Sequence, residues 1–134
     1  MMVKKTWFVN TQIRYLEDLF YMHSDLKSYF VYIVTNSGRT TIYIGVTNNL
    51  PARLKEHWNN KGRLQSFAGK YYCYNLIYME TYSNIQTAIS REKEIKKWNR
   101  KKKEDLIRLK NPHWLFLNRE VYGHWPPEDN ERRF

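Results

Sequence analysis

The sequence predicts an α+β fold, in which three strand-like segments are interspersed with three capped helices. Two observations carry the strands. Phe30 to Val34 and Thr41 to Val46 are rich in β-branched and aromatic residues, and the turn-forming Asn36-Ser37-Gly38-Arg39 separates them, so the pair reads as an antiparallel hairpin. Tyr72 to Glu80 (Tyr-Cys-Tyr-Asn-Leu-Ile-Tyr-Met-Glu) has the same character and reads as a third strand. The helices are marked by their ends. Asn48-Asn49-Leu50-Pro51 supplies an Asn cap and a first-turn proline, Ser83-Asn84-Ile85-Gln86 matches a capping box, and Asn111-Pro112 stops a helix.

Residues 1–27 read as an N-terminal extension. Asn10 or Thr11 caps a short helix there, with Ile13, Leu16, Leu19 and Phe20 on one side. That stripe needs a surface to pack on: the main domain, a second copy of the chain or another protein. Met22 is an alternative start to Met1. The domain itself is expected over 28–117. Its first helix runs from the Asn cap to about Asn59 with Leu50, Leu54 and Trp58 facing inward. Residues 60–70 form a loop with two glycines. The second helix carries Ile85, Ala88, Ile89, Ile95 and Trp98, and the third covers about Arg100 to Leu109. Residues 118–134 form a C-terminal tail, extended or disordered from Gly123 onward.

Composition narrows the function. A chain of 134 residues that is 42% hydrophobic and 16% aromatic is a folded single domain rather than a disordered one. The net charge of +10 favours a polyanionic partner, with nucleic acid the commonest candidate. Ten Lys/Arg and four Asp/Glu between 91 and 110 concentrate +6 of that charge on two consecutive helices. Lys93, Lys96, Lys97, Arg100, Lys101, Lys102 and Lys103 are placed there to meet a phosphate backbone, although a solvated basic face is the ordinary reading of such a run. Cys73 is the only cysteine, which excludes a disulfide framework or a multi-cysteine zinc site within one chain and leaves it a small core residue. His23, His113 and His124 have no metal-ligand spacing, and no glycine-rich phosphate loop or nucleophilic triad is present. No run is long enough to span a membrane and the start is too weakly apolar for a signal peptide, so a cytoplasmic location is expected.

Five residues carry chemistry. Tyr32 and Tyr43 lie on adjacent strands and can present phenols on one face, although strands favour aromatics for structural reasons too. Arg53 and His57, four apart, share a helix face and can grip a phosphate or transfer a proton; a solvated face is the other reading. Glu92 falls three after Ile89 and three before Ile95, so it joins the apolar stripe. An inward carboxylate needs a cation, either a divalent metal or a salt-bridge partner.

The ordered set resembles the GIY-YIG nuclease family. Phe30-Val31-Tyr32 stands where Gly-Ile-Tyr would be. Tyr43-Ile44-Gly45 is intact, and the stretch from Val46 through Arg53 to His57 is similar to the family's YIG-x-T-x-x-L-x-x-R-x-x-x-H run. Ala88 to Trp98 and Asn111-Pro112-His113-Trp114 resemble its small single-domain bacterial branch. The missing first glycine removes backbone freedom, not a reacting group. The resemblance implies a small three-stranded antiparallel sheet flanked by helices. It also implies metal-dependent hydrolysis of DNA phosphodiesters, using one Mg²⁺ or Mn²⁺ held by Glu92. Tyr43, or alternatively Tyr32, would take the water's proton, Arg53 would stabilise the phosphate and His57 would assist, with Asn111 a further catalytic candidate. Repair or recombination structures are the expected substrates, since no second DNA-recognition domain is apparent. A module of the same fold that binds nucleic acid without cutting it is the alternative. An adaptor acting through the N-terminal stripe is a third reading.

Overall fold

The computed structural model describes residues 27–128, so the expected N-terminal helix and residues 129–134 lie outside the described part. Three strands, β1 (Tyr29–Thr35), β2 (Ile42–Thr47) and β3 (Asn75–Tyr82), form one antiparallel sheet in the order β2-β1-β3. Among the described residues five helices surround it: α1 (Leu50–Asn59), α2 (Phe67–Lys70), α3 (Ile85–Lys97), α4 (Arg100–Lys110) and α5 (Asn118–Tyr122). This is the expected α+β architecture.

β1 takes the centre because Phe-Val-Tyr-Ile-Val is apolar on both faces, and Phe30 to Val34 are all buried. Phe30, Tyr32 and Val34 point to one face, where Leu50 and Leu54 of α1, Ala68 of α2 and Val121 of α5 pack. Val31 and Ile33 point to the other, against Ala88 and Ile95 of α3 and Ile107 of α4. Full burial of each such aliphatic side chain stabilises the fold by about 1.5–3 kcal/mol. Phe30, the first residue of the degenerate signature run, is therefore a core residue. Cys73 is also buried, and burial pushes its thiol up to about 11.

Several boundaries differ from expectation. β3 begins at Asn75 rather than Tyr72, because Tyr72 has a left-handed φ of 57° and closes a turn on Gly69. The loop expected over 60–70 contains α2, capped by Ser66, whose hydroxyl accepts from the Gly69 amide at 3.0 Å. The cap of α3 is Asn84 rather than Ser83, since its carboxamide oxygen accepts from both Gln86 and Thr87 amides. Asn49 caps α1 as expected, accepting from the Ala52 amide at 3.1 Å.

The largest difference is at the C-terminal end. Residues 118–127 were expected to form part of a tail, yet α5 packs on the sheet through Val121, and Trp125 stands edge-on to Trp58. Buried Asn118 accepts from the Leu76 amide at 2.7 Å and donates to the Tyr74 carbonyl. These are long-range hydrogen bonds to an edge strand, and local propensity gives no sign of them.

Candidate active site

The antiparallel register of β1 and β2 places Tyr32 opposite Gly45 and Val34 opposite Tyr43. Residues two apart on β1 share a face, so both phenols emerge on the same side of the sheet. Their ring centroids are 6.5 Å apart. Gly45 is what lets the Tyr32 ring lie across β2. A Cβ built there would meet the phenol oxygen and ring, with Cζ at 2.5 Å and Cε1 at 2.8 Å. The glycine of the second signature run is thus a steric requirement of the tyrosine in the first.

α1 supplies the third wall. Its Asn cap and first-turn proline start it immediately after β2, and Leu50 and Leu54 anchor it inward. Four residues are about one helical turn, so Arg53 and His57 sit one above the other. The His57 Nε2 is 2.8 Å from the Tyr32 hydroxyl, and the imidazole stands edge-on to Tyr43 at 5.5 Å between centroids. Burial, reinforced by the Arg53 charge, lowers the pKa of His57 to about 4. The ring is therefore neutral at neutral pH, and Nε2 accepts from a phenol that keeps its proton. Burial pushes the Tyr32 phenol well above its usual range, with a further rise from Tyr43 that outweighs the lowering by Arg53.

α3 brings the carboxylate. Glu92 is 8% exposed, with Ala88 and Ile95 of the same helix in the core, which places it on the inward stripe as the spacing predicts. It lies near enough to act electrostatically on Tyr32. Its counter-ion is Lys96, whose ammonium is 2.5 Å from Glu92 Oε1 and 6.0 Å from the centroid of the Tyr43 ring. Of the two readings of an inward carboxylate, the salt bridge is the one present: Lys96 neutralises Glu92 on the side facing Tyr43. Arg53 makes a matching contact, 3.1 Å to Glu56.

A hard divalent cation would find one carboxylate here, with the Tyr32 phenol within electrostatic reach of it. No group of three or more His, Cys, Asp and Glu side chains suited to a metal occurs among the described residues. The single carboxylate fits Mg²⁺ or Mn²⁺ only if water and substrate phosphate oxygens complete the coordination shell, which is how Mg²⁺ is commonly held.

Asn111 is committed to backbone groups rather than to a phenol, His57 or Glu92. It is buried as the cap of α4, and its carboxamide donates to the Ile77 and Leu115 carbonyls and accepts from the Leu115 amide, each at 2.9 Å. With Lys110, which donates to the Met79 carbonyl, it covers the outer edge of β3. The basic run is also only partly an open face. Lys93, Lys96, Lys97, Arg100, Lys101 and Lys102 are exposed while Lys103 is half-buried, and Arg100 and Lys101 pair with Glu104 and Asp105. Lys102 lies over the Trp98 ring at 4.3 Å.

Sequence reasoning missed a second carboxylate network. Glu80 accepts from Tyr78 and Tyr82 hydroxyls and from Arg91, which also pairs with Glu94. Burial alone would raise the Glu80 pKa, but the hydrogen bonds from Arg91 and the two phenols win and hold it low. Its donors come from β3 and α3, so it is a structural tie between those two elements. The i, i+4 spacing of Glu92 and Lys96 was visible in the sequence and was a usable signal for that pair.

The phenols and the Arg–His helix on one face of a three-stranded sheet, with the inward glutamate of α3 within electrostatic reach of Tyr32, define a nuclease-type domain. The model of the GIY-YIG catalytic domain matches residues 28–105, and the chain belongs to the GIY-YIG family as one of its small members. UPF0213 proteins of Staphylococcus aureus strains Mu3 and N315 are each 35% identical to it over 83 residues, covering 62% of this chain and 98% of theirs. The solution NMR structure of a UPF0213 protein from Bacillus halodurans is 27% identical, covers 65% of this chain and 89% of that one, and has a TM-score of 0.42. No helix among the described residues is long and apolar enough to cross a membrane.

Proposed function

We propose that the protein is a divalent-metal-dependent endonuclease that hydrolyses DNA phosphodiester bonds, acting on branched or damaged structures of the kind met in repair and recombination. The observation that carries the reading is the convergence of Tyr32, Tyr43 and His57 on one face of the sheet, with Glu92 of α3 near enough to act electrostatically on Tyr32.

Each side chain has a role in this scheme. Arg53, charged and half-exposed beside the cluster, grips a phosphate oxygen and stabilises the negative charge that grows during attack, a contribution of about 3 kcal/mol for one well-placed donor. Tyr32 is buried and holds its proton, so it positions His57 rather than acting as the base. Tyr43 is the more open phenol and is assigned the contact with the attacking water. The Nε2 lone pair of neutral His57 holds the Tyr32 hydroxyl, so it takes the water's proton only as that hydrogen bond breaks, while the water oxygen bonds to phosphorus and the leaving oxygen departs. Glu92 would hold Mg²⁺ or Mn²⁺, which when bound supplies Lewis-acid stabilisation of the phosphate and leaving oxygen. Lys96 must turn away from Glu92 for that, and its flexible stem allows it.

DNA would be held mainly through phosphates. The first turn of α4 is Arg-Lys-Lys-Lys with no acidic residue, the opposite sign to the one a helix N-terminus favours. A phosphate docked there would relieve that repulsion.

Plasmid, branched and single-stranded DNA incubated with the protein and Mg²⁺ or Mn²⁺ tests the proposal. Metal-dependent cleavage that disappears in Glu92→Gln supports it. DNA binding without cleavage of any substrate would leave the non-catalytic module as the reading.

A further inference from the structure

A cleft of about 260 Å³ opens beside the cluster, between the end of β2, the start of α1 and the first turns of α3. Tyr29, Val46, Ile85 and Ile89 form its apolar wall, and Thr47 and Asn48 give it a polar rim. Arg53 lines it as well, and the same guanidinium acts on Tyr32 and His57. One cation is thus shared by the proposed phosphate site and an apolar slot. Ile85 is 45% exposed, so part of the apolar wall is open to solvent.

The geometry points to a subsite for one unpaired nucleobase of the DNA substrate, attached to the phosphate that Arg53 holds. This rests on the nuclease reading and extends it to a substrate class: DNA with at least one unpaired nucleotide next to the cut. Three observations select that occupant. The slot is smaller than the ~300–1,000 Å³ typical of pockets for drug-sized ligands, so it suits a single flat ring system. No acidic residue lines it and the chain carries +10, which complements a phosphate-linked ligand. An aromatic and aliphatic wall with a polar rim matches a base, whose faces are apolar and whose edges form hydrogen bonds. A base in intact duplex has both faces stacked and its pairing edge occupied, so it does not enter.

The test uses full-length protein carrying Glu92→Gln, without metal, and fluorescence anisotropy on two labelled DNAs. One is a perfect duplex and the other is the same duplex with a short single-stranded extension. The extended DNA is expected to bind about tenfold more tightly. Adding Ile85→Ser or Ile89→Ser should bring that ratio close to one, and so should abasic sugars in the extension. Ile85→Ser is the safer variant for folding because the residue is already exposed. Equal binding of the two DNAs, a ratio that survives both serine variants, or tight binding of the abasic extension each overturns the proposal. Serine variants that lower the melting temperature without changing the ratio also overturn it, and show that the two isoleucines serve packing alone. Cleavage of DNA by the unmodified protein without preference for unpaired nucleotides removes the slot alone; no cleavage and no DNA binding removes the nuclease reading with it.

Discussion

Acidification should destabilise this protein through His57. An unfolded histidine titrates near pH ~6.5, and the folded one near 4, because burial and then Arg53 oppose its charge. Between those values the unfolded chain binds a proton that the folded chain does not. Stability is therefore complete above about pH 6.5 and is lost as pH falls towards 4. The separation corresponds to about 3 kcal/mol in total, of which about 2 kcal/mol is lost by pH 5. Part of the ring faces water, which screens the penalty and moves the expected loss towards 1 kcal/mol. Urea unfolding at pH 7, 6 and 5 measures it, with His57→Gln as the comparison. Glutamine offers Tyr32 an acceptor and does not titrate. His113 and His124 are present in both proteins and cancel, and the low-lying Glu80 contributes only below about pH 4.5. Wild type should lose about 1–2 kcal/mol more than His57→Gln between pH 7 and 5. Parallel pH profiles would refute the reasoning, as would an NMR titration placing His57 above pH 6.5.

Three further outcomes are expected. Gly45→Ala should cost about 1–3 kcal/mol in urea unfolding, because the new methyl overlaps the Tyr32 ring; combined with Tyr32→Ala the penalties should not add. Asn111→Ala should cost about 3 kcal/mol by removing the hydrogen bonds that close the β3 edge, yet leave kcat per folded molecule unchanged in single-turnover assays. Lys96→Met should tighten Mn²⁺ binding about two- to fivefold, read from the electron paramagnetic resonance signal of free Mn²⁺, since it removes the competing cation from Glu92; unchanged or weaker binding would show that the ammonium does not occupy that position.

Much of the fold was legible because its signals are local. The β-branched runs, the Asn cap of α1 and the stop before Pro112 each act over a few residues, and the elements lie close to where those signals place them. Errors arose where a distant partner decided the outcome. Tyr72 has strand-like neighbours, but the hydrogen bonds of its turn on Gly69 hold it out of β3. Asn118 sits in a polar stretch with no core signal, and only the unpaired edge of β3 gives it partners. Asn111 was ambiguous by type, since a cap and a catalytic amide look alike in sequence. Its three hydrogen bonds to backbone assign it to structure.

The candidate site divides in the same way. The sequence by itself determined that Glu92 turns inward, since helical periodicity allows no other face, and that Arg53 and His57 share one side of α1. It also held both tyrosines in strands. Which phenol stays buried, which imidazole nitrogen meets it, and that Lys96 neutralises Glu92 were decided only by the tertiary structure. The reason is that pKa and pairing depend on desolvation and on charges brought together across 25 to 60 residues of chain, from Tyr32 to His57 and from Tyr32 to Glu92. Helical and strand periods place a residue on a face, but packing sets what that face meets.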